Sequence, residues 1–474
     1  MNVYFLGIAG AGVSALASVL HSQGHVVSGS DEGVFPPVST YLSRLGISYA
    51  THFDAFNVPA NVDIAIVGTT AKMDPATNPE LAELNRRGVK CYNFASYLGE
   101  HTKNRENLII AGSFGKSSLT ALITFILLHA GHDPGWFIGA IPLDLPQTGH
   151  DGTDPLFIME GDEYVVSLAD RRSKFELYTP MHTLISSIVH DHINMFPTMA
   201  IYEALFARLI AATPDHGSLI VCHSFEPVRR LVGARDAVWY GIKPNPGYFS
   251  DNITTGEFST FELCQPNGDK LLLETELLGL HNIENIIGAS AFLLSQNRVT
   301  SAQLQAGVKA FRGVERRLDK KTRTSNIPIY EGFGSSFEKA RSAIDAIKLH
   351  FPARKSVVVF EPHTFSWRNQ SALTWYDTVF AGCERVLIMP PPTHGADTHD
   401  QLTQAQITAR VQSAGIDAVS VASGADATTN LMQTLSGNEV VLLLSSGPMD
   451  GLAANLPPLF DTEFGSKNET DPTS

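Results

Sequence analysis

The stretch "IIAGSFGKSSLTALI" joins an apolar run to a helical pattern through a glycine-rich turn. Gly112 and Gly115 would let the backbone wrap phosphate oxygens, and Lys116 could reach the terminal phosphates of a nucleotide. The hydroxyl of Ser117 is of the type that ligates Mg²⁺. The usual P-loop spacing would need a glycine at Ile110, so this loop is short. The order of strand, loop and helix favours a phosphate site over an exposed Gly-Lys turn.

Two more apolar runs end in side chains that could hold Mg²⁺ beside such a nucleotide. "PLFIMEGDEY" carries Glu160, Asp162 and Glu163, and "IVHDHINMF" carries Asp191 and His192. In a doubly wound sheet the carboxyl ends of the strands converge on the ligand crevice. Histidine is an unusual ligand for so hard a cation, and each residue taken singly is more often a helix cap or a surface charge.

A glycine-rich turn also follows the first apolar run, "NVYFLGIAGAG". Gly7, Gly10 and Gly12 would let backbone N–H groups approach a diphosphate at the positive end of a helix. The spacing GxxGxG differs from the dinucleotide pattern GxGxxG. A nucleotide-sugar diphosphate would suit this turn as well as NAD, and a tight turn without any ligand explains the glycines equally well.

Amides and guanidinium groups occur in two later segments. "GLHNIENIIGA" places Asn282 and Asn285 on one helix face, where the alternative is an N-cap plus a surface amide. "FRGVERRLD" supplies Arg316 and Arg317, which could reach a bound phosphate, although a solvated pair is the commoner fate of such residues.

Strand-like runs alternate with helical patterns in three successive sections, which predicts an α/β fold built mainly from parallel sheets. The first and third sections resemble Rossmann-like doubly wound sheets, and the second resembles a P-loop ATPase domain. The predicted divisions are 1–105, 106–319 and 320–463, followed by a frayed polar tail at 464–474.

The composition excludes several classes of protein. The chain has 474 residues, of which 43% are apolar and 17% charged, as in globular proteins. A net charge of −14 without long charged runs argues against a nucleic-acid or anionic-membrane partner. The four cysteines form no CxxC pair, which fits a reducing compartment. With no signal-peptide pattern and no apolar run of membrane-spanning length, we expect a cytoplasmic protein.

Taken together, these motifs resemble the Mur ligase family, and they occur in the family's order over nearly the whole chain. The landmarks are the short GxxGK[ST] loop, "EGDEY", "DHIN", "HNxxN" and "RRLD". This resemblance accounts for the short loop, since Mur ligases use that spacing. It implies ATP and Mg²⁺ as cofactors, UDP-N-acetylmuramate as one substrate, and a peptide or amino acid as the other. We expect a monomer or weak homodimer.

Three segments, "VFPPVSTYLSRLGI", "DRRSKFELYTP" and "EPHTFSWRN", are most similar to the murein peptide ligase branch. That branch joins UDP-N-acetylmuramate to L-Ala-γ-D-Glu-meso-diaminopimelate during peptidoglycan recycling. The alanine-adding branch is the nearest alternative. In either branch the resemblance implies that ATP converts the muramyl carboxylate into an acyl phosphate, which the free amine then attacks.

The resemblance also implies roles for individual residues. The catalytic residues would be Lys116, Glu160 and His192, and the metal ligands Ser117, Glu160 and His192. ATP would be bound by Gly112, Ser113, Gly115, Lys116, Ser117, Ser118, Asn282, Arg317 and Glu331. The UDP-sugar would be bound by Gly7, Gly10, Ala11, Gly12, Asp31, Gly68 and Thr69. The amino substrate would be bound by Ser335, Thr364, Ser366 and Arg368.

Several positions depart from the family pattern. Phe114 stands where the family usually has His, and in "IYEGFGSSFEKA" Gly332 replaces an Asp expected to bind ribose, Ser335 a His, and Phe337 a Pro. Glu331 could reach the ribose instead, and we expect Gly332→Asp to lower the KM for ATP. A Mur-like binding protein that has lost ligation is therefore a second hypothesis beside an active ligase.

Overall fold

The computed structural model describes residues 1–34, 38–69, 73–167, 170–191, 195–393 and 400–465. These residues form three β-sheets covered by helices, which confirms the predicted α/β fold. They divide into two compact units. The first unit comprises 1–253, 260–275 and 281–314, and the second comprises 254–259, 276–280 and the described part of 315–474.

The first sheet follows the first predicted section. Its elements are β1 (Asn2–Leu6), α1 (Ala11–Ser22), β2 (Val26–Ser30), α2 (Val38–Arg44), β3 (Ser48–Ala50), β4 (Ile64–Val67), α3 (Pro79–Arg86), β5 (Lys90–Asn93) and α4 (Phe94–Thr102). The strands are parallel in the order β3-β2-β1-β4-β5. Because the order reverses at β1, the crevice beyond the carboxyl ends of β1 and β4 is a topological switch point, where ligands bind in such sheets.

The second sheet contains ten strands within the described residues. The elements are β6 (Glu106–Ala111), α5 (Lys116–His129), β7 (Gly135–Phe137), β8 (Gly149–His150), β9 (Leu156–Gly161), β10 (His182–Ile185), α6 (Met199–Ala212), β11 (Ser218–Cys222), α7 (Glu226–Val232), β12 (Val238–Gly241), β13 (Tyr248–Thr254), β14 (Ser259–Cys264), β15 (Lys270–Thr275), α8 (Leu280–Ser295) and α9 (Ser301–Ala310). Strand β6 lies between β9 and β10, parallel to both. Its run Leu108–Ala111 is fully buried, as expected of a central parallel strand.

Polar contacts tie the first sheet's helices to the second sheet inside the first unit. The hydroxyl of Tyr41 accepts hydrogen bonds from the backbone N–H of Thr148 at 2.9 Å and from its side chain at 2.8 Å. Tyr41 in turn donates to Ser18, whose hydroxyl lies 2.8 Å from the Gly149 carbonyl. All these groups are buried, so their pairing avoids the cost of unsatisfied polar atoms.

The third sheet belongs to the second unit. Its elements are β16 (Arg317–Lys320), β17 (Ile329–Phe333), α10 (Phe337–His350), β18 (Lys355–Phe360), α11 (Phe365–Arg368), β19 (Arg385–Ile388), α12 (Gln404–Ser413), β20 (Asp417–Ser420), α13 (Gly424–Thr434), β21 (Glu439–Ser445) and α14 (Leu452–Glu463). The order is β16-β17-β21-β18-β19-β20. All pairs are parallel except β16 with β17.

The predicted division at 319/320 falls in the segment "RRLDKKTRTSNIP", whose first residues form the edge strand β16. Arg316 and Leu318 have φ angles of 62° and 61°, and the pairing register shifts between Arg317 and Asp319. This irregularity turns the side chains of Leu318 and Asp319 inward, where both are buried. Strand β16 thus begins before the predicted division at residue 319.

Within the described residues, no helix combines the length and apolar character needed to cross a bilayer.

Candidate active site

The glycine-rich loop that the sequence predicts to bind phosphate, residues 112–116, joins the end of β6 to the start of α5, and it is called the phosphate loop below. Gly112 has a φ of 144° and Gly115 a φ of 84°, which few side-chain-bearing residues adopt. A Cβ on Gly112 would overlap the hydroxyl of Ser186, and one on Gly115 would lie 2.6 Å from Oδ1 of Asn285. Both glycines are therefore required by conformation and by close packing.

Lys116 opens α5 and carries the cation of the site. Its Nζ donates to the carbonyl of Gly112 at 2.6 Å and to Oε2 of Glu163 at 2.8 Å. Burial by itself would lower the pKa of Lys116, but the charges of Glu163, Asp162 and Glu160 raise that pKa above its ordinary value. The ammonium group is therefore held in its charged form at neutral pH.

The acidic end of β9 lies beside the phosphate loop, because Ile110 of β6 pairs with Glu160 of β9. Glu160 is buried and accepts a hydrogen bond from the backbone N–H of Gly139 at 2.8 Å. Asp162 pairs with Lys174 at 2.6 Å. Burial acts to raise the pKa of Asp162, but Lys174 and Lys116 lower it below its ordinary range. The strand-end carboxylates thus meet the loop, each already engaged by protein donors.

Of the three serines predicted to bind ATP, Ser113 and Ser117 are buried. Ser113 bonds to the carbonyl oxygen of Val189 at 2.7 Å, which links the loop to the segment leading out of β10. Ser117 is buried at the start of α5, and Ser118 is half-buried beside it. The third predicted metal ligand, His192, lies outside the described residues. Among the residues that are described, no three His, Cys, Asp or Glu side chains gather as a metal site.

Asn282 and Asn285 are buried on α8, with 5% and 9% of their surfaces exposed. The amide of Asn285 donates to Oδ1 of Asn282 at 3.4 Å, and Asn285 lies directly against Gly115 of the loop. The alternative of a cap and a surface amide is therefore wrong. Phe114, by contrast, is half exposed at the loop tip, and its N–H donates to the hydroxyl of Ser187 at 2.9 Å.

The predicted UDP-sugar residues gather at the switch point of the first sheet. Gly7 has a φ of 78°, and its N–H donates to the carbonyl of Ser30 at 2.8 Å. Asp31 accepts the N–H of Ala9 at 2.9 Å and so holds the turn. Gly68 follows β4, and its Cα lies 3.8 Å from where a Cβ on Gly7 would stand.

The other four residues predicted to bind the UDP-sugar have local structural roles. Gly10 is the N-cap of α1, and Ala11 is its first residue. A Cβ on Gly12 would lie 2.9 Å from the ring of Phe94, so close helix packing accounts for that glycine. Thr69 donates its hydroxyl to the carbonyl of Val166 at 3.1 Å.

In the second unit, Glu331 is buried and paired with two cations. Its Oε2 lies 2.7 Å from Nζ of Lys321, and its Oε1 lies 3.2 Å from Nε of Arg316. Arg316 also donates to the carbonyls of Ser445 and Gly447, at 3.0 and 2.7 Å. Arg317, the predicted nucleotide contact, is exposed. Of the two neighbouring arginines, Arg316 is the one that donates hydrogen bonds to the loop after β21.

The predicted amino-substrate residues follow strands of the third sheet. Thr364 donates its hydroxyl to the carbonyl of Ser335 at 3.0 Å and lies 3.1 Å from the hydroxyl of Ser366. These three come together at the carboxyl ends of β17 and β18. Arg368 is buried and donates to the carbonyl of Pro392 at 2.8 Å, and burial lowers the pKa of Arg368.

Glu361, which the sequence analysis did not single out, lies between β18 and β21. Its Oε2 accepts the hydroxyl of Ser445 at 2.5 Å and the N–H of Met449 at 3.3 Å, and His363 lies 3.7 Å away. Burial acts to raise the pKa of Glu361, but the bonds from His363 and Ser445 keep that pKa below its ordinary value. Its place after the apolar run "SVVVF" is the same signal that identified Glu160.

Comparison with known proteins identifies the family. Residues 2–106 match the model described as Mur ligase family, catalytic domain, and residues 110–293 match the Mur ligase middle domain. A UDP-N-acetylmuramate–L-alanine ligase of Roseiflexus castenholzii is 31% identical over 387 residues, covering 77% of this chain and 78% of that protein. One of Salinibacter ruber is 26% identical over 474 residues, covering 99% and 97%. The chain belongs to the Mur ligase family, whose members are ATP-dependent ligases.

Solved structures share the fold. The UDP-N-acetylmuramate–alanine ligase MurC of Thermotoga maritima superposes with a TM-score of 0.80 at 20% identity, covering 98% of this chain and 99% of that one. A murein peptide ligase of Psychrobacter arcticus superposes with a TM-score of 0.66 at 21% identity, covering 97% and 98%. The curated relatives carry the alanine-adding name, so the comparisons favour the stated alternative over the peptide-adding prediction.

Proposed function

We propose that the protein is an ATP-dependent ligase that joins the carboxylate of UDP-N-acetylmuramate to the amine of L-alanine. The observation that carries this proposal is the phosphate loop, in which two obligatory glycines precede a charged lysine that lies beside buried carboxylates. The names of the curated relatives support L-alanine as the amino substrate.

The loop fits ATP and Mg²⁺ chemically. Gly112 and Gly115 give the loop its positive-φ backbone, and Lys116 supplies positive charge for the terminal phosphates. Ser117 and Glu160 offer the hydroxyl and carboxylate oxygens that Mg²⁺ prefers. ATP would supply the phosphoryl group that activates the substrate carboxylate as an acyl phosphate. In such a transfer the protein contributes positioning and charge neutralisation, which is what these residues can do.

The remaining substrates would bind at the edges of the first and third sheets. The turn held by Asp31 presents backbone N–H groups at the start of α1, a suitable end for a diphosphate. Ser335, Thr364 and Ser366 offer hydroxyls that would orient the amino substrate.

A second candidate is ligation of the tripeptide L-Ala-γ-D-Glu-meso-diaminopimelate to the same acyl substrate. It is favoured by the segments "DRRSKFELYTP" and "EPHTFSWRN". Both candidates use the same phosphate loop and differ in what the third sheet must hold. The third hypothesis, binding without ligation, predicts UDP-sugar binding with no turnover.

One assay separates these functions. Purified protein is mixed with Mg-ATP and UDP-N-acetylmuramate, and phosphate release is followed with L-alanine, with the tripeptide, or with neither. We expect release to depend on L-alanine. Release with the tripeptide and not with alanine would replace the first candidate by the second. No release with either, together with intact UDP-sugar binding, would show that ligation has been lost.

A further inference from the structure

Lys174 is a buried cation in the segment "DRRSKFELYTP", and the proposed function gives it no role. Only 11% of its side chain is exposed. Its backbone N–H donates to the carbonyl of Tyr164 at 3.0 Å, which folds this segment back over the residues that follow β9. Its ammonium nitrogen lies 5.3 and 5.6 Å from the ring centroids of Phe94 and Tyr164. A backbone bond and two aromatic rings thus fix the position of this cation.

The ammonium group of Lys174 has more hydrogen-bond donors than the protein uses. An ammonium group carries three N–H donors. Among the described residues, the one hydrogen-bond acceptor of Nζ is Oδ2 of Asp162, at 2.6 Å. The ring faces attract the charge but do not accept conventional hydrogen bonds. Because 40% of the Asp162 side chain is exposed, the ion pair is open on one side, and two N–H donors are available to the oxygens of a ligand.

Lys174 lies between the two places where the phosphorylated substrate and ATP are proposed to bind. On one side, Phe94 packs against the glycine-rich turn of the first sheet, where a Cβ on Gly12 would lie 2.9 Å from its ring. On the other side, Asp162 is so close to both Lys174 and Lys116 that their charges outweigh the effect of burial and lower its pKa. All these residues belong to the first unit.

Hydrogen bonds also tie the segment of Lys174 to the edge of the first sheet. Nδ2 of Asn93 and the hydroxyl of Thr69 donate to the carbonyl of Val166, at 3.0 and 3.1 Å. Val166 in turn donates its N–H to the carbonyl of Arg172 at 2.9 Å, two residues before Lys174. The cation is thus anchored to the edge where the UDP-sugar is proposed to bind.

The proposed reaction brings two anions together beside this cation. The carboxylate of UDP-N-acetylmuramate must approach the terminal phosphate of ATP while its UDP group stays at the first sheet. Glu160, Asp162 and Glu163 add negative charge near the phosphate loop, and Lys116 is placed for the phosphates. A second fixed cation between the two sites would hold the carboxylate against this repulsion and orient it for reaction.

We propose that Lys174 binds the muramyl carboxylate of UDP-N-acetylmuramate through the N–H donors that Asp162 does not use, and so positions that carboxylate for phosphorylation. This inference rests on the proposed function, which supplies the substrate. In that step a carboxylate oxygen forms a bond to the terminal phosphorus of ATP, and the bond from that phosphorus to the bridging oxygen of ADP breaks. Lys174 keeps its protons throughout.

The test compares two ligands that differ in this carboxylate. UDP-N-acetylglucosamine has the same nucleotide and sugar without the lactyl group that carries it. The dissociation constants of both are measured by titration calorimetry on the full chain, without ATP and Mg²⁺, for the wild type and for Lys174→Met. Because a hydrogen bond to a charged group is lost, UDP-N-acetylmuramate should bind about 10- to 100-fold more weakly. The dissociation constant of UDP-N-acetylglucosamine should change by less than about 2-fold.

Two further variants separate carboxylate binding from an effect on the fold. Lys174→Met/Asp162→Asn removes both members of the ion pair, so that no uncompensated charge remains to destabilise the segment. It should lose the preference for UDP-N-acetylmuramate as fully as the single variant does. Arg172→Gln removes an exposed guanidinium from the same segment and should leave both dissociation constants unchanged.

Equal weakening of both ligands by Lys174→Met would show that Lys174 supports the fold or the diphosphate site, and this result would overturn the proposal. Unchanged binding of both ligands would overturn it as well. If the wild type bound neither UDP-sugar, the proposed function would fall together with this inference. A preference that depends on Lys174, in a chain that releases no phosphate with any amine, would overturn ligation alone and support the role of Lys174.

Discussion

The ammonium group of Lys116 and the carboxylate of Glu163 form a buried ion pair, with 2.8 Å between Nζ and Oε2. Lys116 is thus not simply presented to an incoming phosphate: it already has a counter-ion inside the protein. Its raised pKa keeps it charged, and that charge pairs with Glu163 inside the fold. Substitutions at Lys116 or Glu163 should therefore change both the free energy of unfolding and the rate of ligation, and the two effects can be measured independently.

Lys116→Ala should abolish ligation, because it removes the positive charge that Lys116 would place next to the terminal phosphates. It should also destabilise the fold, since Glu163 would remain buried without its lysine, at a cost of roughly 3 kcal/mol in the free energy of unfolding. Urea unfolding and phosphate release measure the two effects.

The double variant Lys116→Ala/Glu163→Gln separates these effects. It should recover most of the lost stability, because the uncompensated charge is gone, while ligation stays absent. Lys103→Ala, which removes an exposed pair with Glu100, serves as the control and should change neither quantity measurably. Full activity in Lys116→Ala would show that the loop is not the phosphate site.

Gly332→Asp should destabilise the second unit instead of improving ATP binding. The sequence analysis expected a lower KM for ATP, but a Cβ at Gly332 would lie 3.2 Å from Leu444 and 3.5 Å from Ala343, among apolar side chains. An aspartate there would be buried without a partner, which costs several kcal/mol. Thermal unfolding should show a clear loss.

Gly332→Ala is the companion variant, because it adds the Cβ without the charge. Its loss should be much smaller, within about 1–2 kcal/mol. An aspartate variant as stable as the wild type and with a lower KM for ATP would restore the original expectation.

Arg316→Gln should loosen the loop after β21. Arg316 donates to the carbonyls of Ser445 and Gly447 and pairs with Glu331, and a glutamine is too short to keep all three contacts. If this loop helps to hold the amino substrate, the KM for that substrate should rise several-fold. Arg317→Gln, at the exposed neighbouring position, is the control. A larger rise in this KM from Arg317→Gln than from Arg316→Gln would contradict the assignment of this role to Arg316.

The stability of the second unit should fall as the pH drops below about 6.5, the ordinary histidine pKa, because of His350. Burial lowers the pKa of His350, and the bond to Gly256 offsets only part of that. Nδ1 lies 2.8 Å from the Gly256 carbonyl, and Nε2 accepts the N–H of Gly279 at 2.7 Å, so the folded ring is neutral. Below the unfolded pKa the unfolded chain binds the proton more readily, which favours unfolding.

His350→Asn should flatten the pH dependence of unfolding between about pH 7 and 5.5, since the group that titrates is gone. His216→Asn, at an exposed position, should leave the slope as it is in the wild type. Urea midpoints across this range provide the measurement. An identical slope in His350→Asn and wild type would contradict this assignment.

Much of the site followed from local pattern. An apolar run followed by glycines and a lysine predicts a strand, a phosphate loop and a helix, because glycine is needed wherever the backbone takes positive φ at a close approach. Gly112, Gly115 and Lys116 confirm that pattern. The carboxyl ends of neighbouring parallel strands lie at the same edge of a sheet, and this rule predicted that Glu160 lies beside the loop.

Other features depended on contacts between residues distant in the chain. Nothing near Gly332 in the sequence shows that Leu444 lies over it, and nothing near Tyr202 shows that it reaches Ser113 and Glu163. Likewise, adjacent arginines look alike in sequence, yet the irregular start of β16 turns Arg316 inward and leaves Arg317 exposed.

The amino-acid sequence by itself determined the α/β class, the phosphate loop and the family, since these rest on residue spacing along single strands, loops and helices. The tertiary structure decided which charges are paired, which glycines are required by packing, and which of two neighbouring side chains is buried. The physical reason is that burial and ion pairing depend on contacts between side chains that are distant in the sequence. The local periodicity of the sequence carries no information about those contacts.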